Sequence, residues 1–312
     1  MQWFLLIWCF ALGAAVGSFL NVVIYRLPLD KSLLYPASHC PQCFHPIPWY
    51  DNIPIVSYLV LRGRCRWCER SYSCRYMLIE LWTALVFAGL WWYLAMHRGL
   101  HPGVFAAYAL SMAVLTAATF TDLDRMVIPR GITYFGMAVG VIFSTAFPAM
   151  QRLPRRDLGP LFARFGIEGY DPSYFISYLK PYPHLDSLAA SVAGLIGGYL
   201  LLWLVRTLGG LAFRKEVMGL ADLDLMAFVG SVVGLRPVIA AFFLGVGVAL
   251  VTMIAVAIWQ RSVKGLRRPI PFGPSLAVGS AAVMLFWHLG IDRLVIMYEG
   301  QFRVVMGLMF GE

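Results

Sequence analysis

Long apolar runs alternate with short polar segments along most of this chain. An apolar run of about 20 residues can cross the hydrocarbon core of a bilayer as a helix. Runs of about this length lie at residues 2–25, 77–97, 103–121, 132–149, 187–206, 218–235, 237–259 and 274–291. This pattern predicts an all-α polytopic membrane protein with about eight transmembrane helices. No Lys or Arg precedes the first run, so we expect a retained helix rather than a cleaved signal peptide.

The amino-acid composition excludes an ordinary soluble domain. Hydrophobic residues make up 60% of the 312 residues and charged residues 13%, against roughly 45–50% and 25% in soluble domains. The net charge of +9 would suggest nucleic acid in a soluble protein. However, the sequence has no nucleotide-binding glycine-rich loop and no RNA-binding signature. Because basic residues collect in the cytoplasmic loops of membrane proteins, we expect a lipid bilayer around the chain and no nucleic-acid partner.

The distribution of Lys and Arg predicts the orientation of the chain in the membrane. With the N-terminus outside, 16 of the 25 basic residues fall in segments on the cytoplasmic side, as the positive-inside rule requires. The predicted organisation is a first span at 1–26, a cytoplasmic domain at 27–76, a helical bundle at 77–149, an extracytoplasmic loop at 150–186 and a second bundle at 187–312.

Two pairs of cysteines in the cytoplasmic domain predict a structural zinc site. Cys40 and Cys43 form one CxxC pair, and Cys65 and Cys68 form a second one, with 21 residues between the two pairs. Two intervening residues allow both thiolates of a pair to bind one tetrahedral Zn²⁺ ion. The cytoplasm is reducing, so stable disulfides are not expected there. His45 lies close enough in sequence to replace one of the four sulfur ligands. We therefore predict a small zinc-ribbon-like domain.

Acidic residues at the ends of two apolar runs are the candidate catalytic groups. The sequence Thr121-Asp122-Leu123-Asp124 ends the third run, and Ala221-Asp222-Leu223-Asp224 lies near the start of the sixth. In the predicted topology both clusters lie at the cytoplasmic face. Acidic residues are expensive in or beside a membrane span and usually have a function.

Two carboxylates close together share one proton, so that one accepts a proton from water while the other donates. This arrangement provides the chemistry of an aspartic protease without a metal or a nucleophilic serine. Two positions along a helix correspond to about 200° of rotation, so only one aspartate of each cluster can face a shared site. The spacing does not decide which one.

The residues alone also allow a structural or a transport role for the aspartates. The carboxylates could be solvated at the membrane interface, and the cluster around Asp222 could stabilise a helix N-terminus. A proton-coupled carrier also uses acidic residues in its spans, although such carriers usually hold them near the middle of the bilayer and show repeats. The sequence contains no HExxH and no GxSxG motif, which argues against a zinc protease and a serine hydrolase.

Several segments in order along the chain resemble the bacterial type IV prepilin peptidase family, membrane aspartic proteases of the GxGD type. They are GSFLNVVIYRLP at 17–28, the two cysteine pairs, NIPIVSY at 52–58, Arg75-Tyr76 followed by Glu80, Asp122 with Ile128-Pro129, MGLAD at 218–222 and PIPFGP at 269–274. The loop at 150–186 lies outside this resemblance and is longer than is usual for the family.

The resemblance implies Asp122 and Asp222 as the catalytic dyad. It also implies that the substrate is a type IV prepilin or pseudopilin, whose basic leader is cleaved after a glycine at the cytoplasmic face of the bacterial inner membrane. Members of the family often methylate the new N-terminus with S-adenosylmethionine as the methyl donor. A catalytically impaired homologue that serves in pilus or secretion assembly is the alternative, and the oligomeric state is not predicted.

The chain departs from the GxGD pattern at two positions. Ala221 replaces the second glycine, and Asp224 stands where the family commonly has a lysine. Glycine adopts positive φ angles that alanine resists. If the backbone at residue 221 has a positive φ, this chain needs a glycine there for its conformation. If φ is negative, glycine provides only space, and the methyl group of Ala221 can be tolerated.

Overall fold

A computed structural model of the chain describes residues 2–151, 175, 179, 181–214, 218–259 and 271–286. Within these residues the secondary structure is helical, and the β-type pairings are two isolated bridges, His39–Pro46 and Arg64–Ser71. The all-α prediction is therefore confirmed for this part of the chain. The chain divides into two compact units, Met1–Ile132 and Thr133–Glu312.

The first unit is built around three long helices. Its described elements are α1 Gln2–Arg26, α2 Val56–Val60, α3 Arg75–Leu90 and α4 Pro102–Arg125, with short 3₁₀ turns at Leu27–Leu29 and Trp49–Asn52. Helix α3 continues as a π-helical segment, Trp91–His97. In the most apolar stretch of α4, 72% of the residues are buried, against 28% in α1. Helix α4 is therefore the central helix of this unit.

Helices α1 and α3 pack closely because two glycines of α1 face α3. A Cβ atom built on Gly13 would lie 2.8 Å from the Cα atom of Ala84, and one built on Gly17 would lie 2.6 Å from the Cα atom of Glu80. Any larger side chain at either position would push the two backbones apart. The helix contact therefore depends on the absence of a side chain at these two positions.

The second unit contains one short helix that is buried along most of its length. Its described helices are α5 Arg130–Ala146, which begins just before the unit boundary, α6 Pro183–Phe213, α7 Leu220–Val233, α8 Leu235–Trp259 and α9 Gly273–Phe286. Every residue of α7 from Asp222 to Val233 is buried. A helix that is buried all round is typical of the centre of a bundle. Helix α7 therefore occupies in its unit the place that α4 occupies in the first.

Each of the eight predicted apolar runs overlaps a helix of the described residues. Five of these helices are long and apolar enough to cross a membrane: Gln2–Leu29, Arg75–His97, Pro102–Arg125, Pro183–Ala212 and Leu235–Ile258. Helices α5, α7 and α9 have 17, 14 and 14 residues. Nearly all of the predicted loop at 150–186, residues 269 and 270 of the late motif and the end of the last predicted run lie outside the described residues.

Candidate active site and metal centre

The four predicted ligand cysteines lie together. All four Sγ atoms are within 4.8 Å of one another. Cys40 Sγ is 3.8 Å from Cys68 Sγ, and Cys43 Sγ is 3.9 Å from Cys65 Sγ. A tetrahedron with Zn–S bonds of about 2.3 Å has sulfur–sulfur edges of about 3.8 Å. The two pairs therefore form a four-sulfur cage of a size that fits a zinc ion, with each close contact joining the two pairs.

The two cysteine pairs sit in backbone loops of the same construction. In the first, Cys40 N–H donates to the His45 carbonyl at 2.9 Å and Phe44 N–H donates to the Cys40 carbonyl at 2.9 Å. In the second, the same two bonds join Cys65 to residues 70 and 69, each at 3.0 Å. The fourth residue after each leading cysteine has a positive φ, 58° at Phe44 and 56° at Glu69. Both loops thus turn two thiols toward one point by the same local fold.

The electrostatics of the cage favour a thiolate at one cysteine and disfavour a second one. Burial raises the pKa of Cys40, but hydrogen bonds from the backbone N–H groups of Cys43 and Gln42 and from the thiols of Cys43 and Cys65 together outweigh burial and lower this pKa to about 6. The N–H of His45 lowers the pKa of Cys43, but burial and the sulfurs of the other three cysteines outweigh it and raise this pKa to about 11. A bound cation would remove the repulsion between the thiolates.

Side chains outside the ligand set hold the two loops in place. The ring of His45 lies against that of Trp67, with centroids 3.9 Å apart. The group of side chains that could hold a metal ion consists of the four cysteines without His45. Arg66, between the cysteines of the second pair, forms a two-pronged ion pair with Asp51, with 2.7 Å from Nε to Oδ2. These hydrogen bonds from Arg66 lower the pKa of Asp51. No sequence pattern predicted this pair because its members are 15 residues apart.

Glu80 connects the cysteine domain to helix α3. Its Oε2 atom accepts a hydrogen bond of 2.7 Å from the backbone N–H of Ile55. Ile55 has a φ of 64°, which is uncommon for a β-branched residue and costs free energy. The carboxylate therefore stabilises a strained turn within the NIPIVSY segment. This contact provides a structural role for two of the segments through which the chain resembles the family.

The first aspartate cluster places its two carboxylates in different surroundings. Asp122 is buried, with 8% of its surface exposed. Asp124 is exposed and forms a two-pronged ion pair with Arg75, with 2.8 Å between Oδ2 and the second guanidinium nitrogen. Arg75 also lies over the ring of Phe120, at 5.0 Å from its centroid. Helix α4 ends here, where the N–H of Met126 donates to the Asp122 carbonyl at 2.8 Å.

In the second cluster burial does not separate the two aspartates. Asp222 and Asp224 are both buried, each 9% exposed. Asp222 lies in the first turn of α7, where the helix N-terminus favours a carboxylate. Ala221 belongs to the same turn, and its φ is not positive. The backbone here therefore has a conformation that alanine adopts without strain, and glycine is not needed at this position for its φ.

A polar cleft of about 470 Å³ opens in the first unit, between the ends of α1 and α4 and the start of α3. It is lined by Asn21, Ile24, Tyr25, Ser73, Arg75, Tyr76, Ile79, Asp124 and Arg125. The Asn21 side-chain amide donates to the Tyr76 carbonyl at 3.1 Å. The sequence did not predict this cleft, although six of its lining residues fall in segments 17–28 and 75–80 of the resemblance.

These features describe a helical membrane protein with a four-cysteine cluster that could hold a metal ion and with buried aspartates on the central helix of each unit. The bacterial peptidase A24 N-terminal domain model matches residues 11–94, and the type IV leader peptidase family model matches residues 173–258. The first match contains all four cysteines, the second contains Asp222, and Asp122 lies between them.

Curated relatives cover most of the chain. A prepilin leader peptidase/N-methyltransferase of Aeromonas salmonicida is 33% identical over 318 residues, 94% of this chain and 94% of the relative. A type 4 prepilin-like proteins leader peptide-processing enzyme of Escherichia coli is 31% identical over 87% of this chain and 90% of its own length. A prepilin leader peptidase/N-methyltransferase of Myxococcus xanthus is 33% identical over 72% of this chain and 55% of its own length. No solved structure matches the chain significantly. The chain belongs to the type IV leader peptidase family.

Proposed function

We propose that this protein is a membrane aspartic endopeptidase that removes the basic leader of type IV prepilins or pseudopilins after a glycine. The observation that carries the proposal is the similarity to leader peptidases over 94% of the chain. The burial of Asp122 and Asp222 on α4 and α7 supports their assignment as the catalytic dyad. The ion pair with Arg75 occupies Asp124, which favours Asp122 as the catalytic member of its cluster.

In the proposed mechanism the two aspartates share one proton. The ionised carboxylate takes a proton from a water molecule, which attacks the scissile carbonyl, while the protonated carboxyl donates to the carbonyl oxygen. The tetrahedral intermediate then collapses and its C–N bond breaks. The leaving nitrogen takes the proton that the first carboxylate removed from water, and a hydroxyl group of the intermediate returns a proton to the second carboxylate. The cysteine cage takes no part in this step, since a closed four-sulfur site has no free coordination position.

We propose that the cysteine cage holds Zn²⁺ as a structural ion, for which the four Sγ atoms are suitably spaced. The domain at 27–76 would then lie in the cytoplasm between the first two spans, with the N-terminus outside. In this topology the substrate's apolar helix lies beside the spans and its basic leader reaches the dyad at the cytoplasmic face of the inner membrane.

The names of the Aeromonas and Myxococcus relatives include a second activity, N-methyltransferase. We propose that this chain also methylates the N-terminus that cleavage exposes, with S-adenosylmethionine as the methyl donor. Bound S-adenosylmethionine would supply an activated methyl group, and the chain would position the acceptor amine.

A cleavage assay with a prepilin in membranes tests the peptidase. Asp122→Asn and Asp222→Asn should each abolish leader removal, while the exposed Asp30→Asn should cleave at the wild-type rate. Asn accepts the left-handed conformation of residue 30, whose φ is 53°. Full activity of either dyad variant would refute the assignment, and proton transport by reconstituted protein that cleaves no prepilin would favour a carrier.

A further inference from the structure

The polar cleft brings together segments to which leader cleavage gives no role. Asn21, Ile24 and Tyr25 come from the segment at 17–28, and Arg75, Tyr76 and Ile79 come from the start of α3. Asp124 and Arg125 come from the last turn of α4. Three separate parts of the first unit thus converge on one space, and two of them belong to the match with the N-terminal family domain.

The lining of the cleft suits a ligand that is aromatic and zwitterionic. Ile24 and Ile79 are buried and provide an apolar floor. Tyr25 and Tyr76 are 53% and 43% exposed, so the rings are accessible to a planar base or a cation. Arg75 and Asp124 place both signs of charge at the rim. The volume of about 470 Å³ falls in the range of small-molecule sites.

We propose that this cleft binds S-adenosylmethionine for the methylation reaction, an inference that rests on the function proposed above. The adenine can stack on a tyrosine ring, and the sulfonium can lie over a tyrosine ring as a cation. The ammonium of the methionyl part can pair with Asp124, and its carboxylate can pair with the arginines. Asp124 is two residues from Asp122, so the cleft lies at the helix turn that carries the proposed peptidase carboxylate. The donor cleft and the proposed peptidase carboxylate therefore share one turn of α4, on different sides of the helix.

The transfer balances without a further reactant. The amine nitrogen forms a bond to the methyl carbon as the carbon–sulfur bond breaks, and the bonding electrons stay on sulfur. S-adenosylhomocysteine leaves as a neutral thioether, and the methylated amine loses one proton to solvent. The role of the cleft residues is to bind the donor and to orient its sulfonium.

Direct binding of radiolabelled S-adenosylmethionine to the purified full-length protein in detergent tests the proposal. Tyr25→Ala should weaken binding about tenfold, and Tyr25→Phe should retain it because the ring remains. Tyr134→Ala is a matched control, since Tyr134 is also 53% exposed but lies outside the cleft. Its binding should equal that of the wild type. Equal affinity of Tyr25→Ala and the wild type would overturn the proposal.

Two more measurements distinguish donor binding from peptidase activity and from lipid binding. Asp222→Asn should bind the donor normally while it fails to cleave prepilin, so loss of the peptidase and loss of the binding site are distinguishable. A zwitterionic lipid headgroup has similar charges, so binding is repeated in nanodiscs of phosphatidylethanolamine. Retention of S-adenosylmethionine there supports the donor site, whereas complete displacement by the lipid would identify a headgroup site and refute the proposal.

Discussion

The contact between α6 and α7 provides a sharp test of what holds the Asp222 helix in place. A Cβ atom built on Gly194 would lie against the carbonyl oxygen of Gly230 and 2.8 Å from the carbonyl carbon of that residue. A Cβ atom built on Gly230 would meet the carbonyl of Gly194 in the same way. These neighbours are backbone atoms of a packed helix, so they cannot rotate away. Gly194→Ala must therefore separate the two helices.

The size of the effect follows from two opposing terms. Overpacking of a dense core costs about 1–3 kcal/mol, and the upper end applies here because the obstacle is backbone and α7 is buried. The higher helix propensity of alanine stabilises the helix by about 1 kcal/mol relative to glycine. We expect a net loss of about 2 kcal/mol in the free energy of unfolding, which corresponds to a fall of about 4–8 °C in melting temperature.

Thermal unfolding of the purified protein in one detergent provides the measurement, with Gly247→Ala as the matched control. Gly247 lies in α8, and no atom lies within 4 Å of a Cβ built there, so this variant should melt at or slightly above the wild type. Because the Gly194 contact is reciprocal, the Gly194→Ala, Gly230→Ala double variant should lose less stability than the sum of the single variants. If Gly194→Ala has the same melting temperature as Gly247→Ala, the close backbone contact is refuted.

Three other predictions concern the first unit. Metal analysis of the purified protein should show about one zinc per chain, and Cys43→Ser should lose it; wild-type protein that is native and free of metal would contradict the site. Glu80→Ala should lower the unfolding free energy by about 1.5–3 kcal/mol because the Ile55 N–H loses its charged acceptor. Glu80→Gln, which keeps an acceptor oxygen, should lose less, and equal losses would argue against this bond. Arg75→Ala and Asp124→Asn should each lower the unfolding free energy by about 1 kcal/mol. The double variant should lose no more than one of the single variants, because the same ion pair is lost in each. Additive losses would show that the two side chains do not interact.

The sequence predicted those parts of the fold that depend on local pattern. An apolar run sets the position of a helix by itself, so each predicted run overlaps a helix, although the helix lengths differ from those of the runs. The CxxC spacing is also local, and the structure brings the four sulfurs together as predicted. The helix geometry correctly indicated that Asp122 and Asp124 face different surroundings, but it did not indicate which one would be buried.

Contacts between distant residues were not predictable from one sequence. Arg75 and Asp124 are 49 positions apart, and Ile55 and Glu80 are 25 apart, so no periodicity relates them. The spacing rule also failed to separate Asp222 from Asp224, because both sides of α7 are buried and a rotation of about 200° leads from one packed surface to another. The resemblance marked several of these residues, but only the packing of α1, α3 and α4 assigns them contacts.

The common construction of the two cysteine loops has a consequence for assembly. Each loop offers two thiolates in the same geometry, so neither completes a tetrahedral site alone, and the missing half is equivalent whether it comes from the same chain or from another. The 21 residues between Cys43 and Cys65 include a 3₁₀ turn and helix α2, so folded structure holds the second pair of thiols beside the first. A chain in which this intervening segment unfolds therefore loses the closed four-sulfur site, and each of its loops is left with two thiols that a loop of another chain can complete.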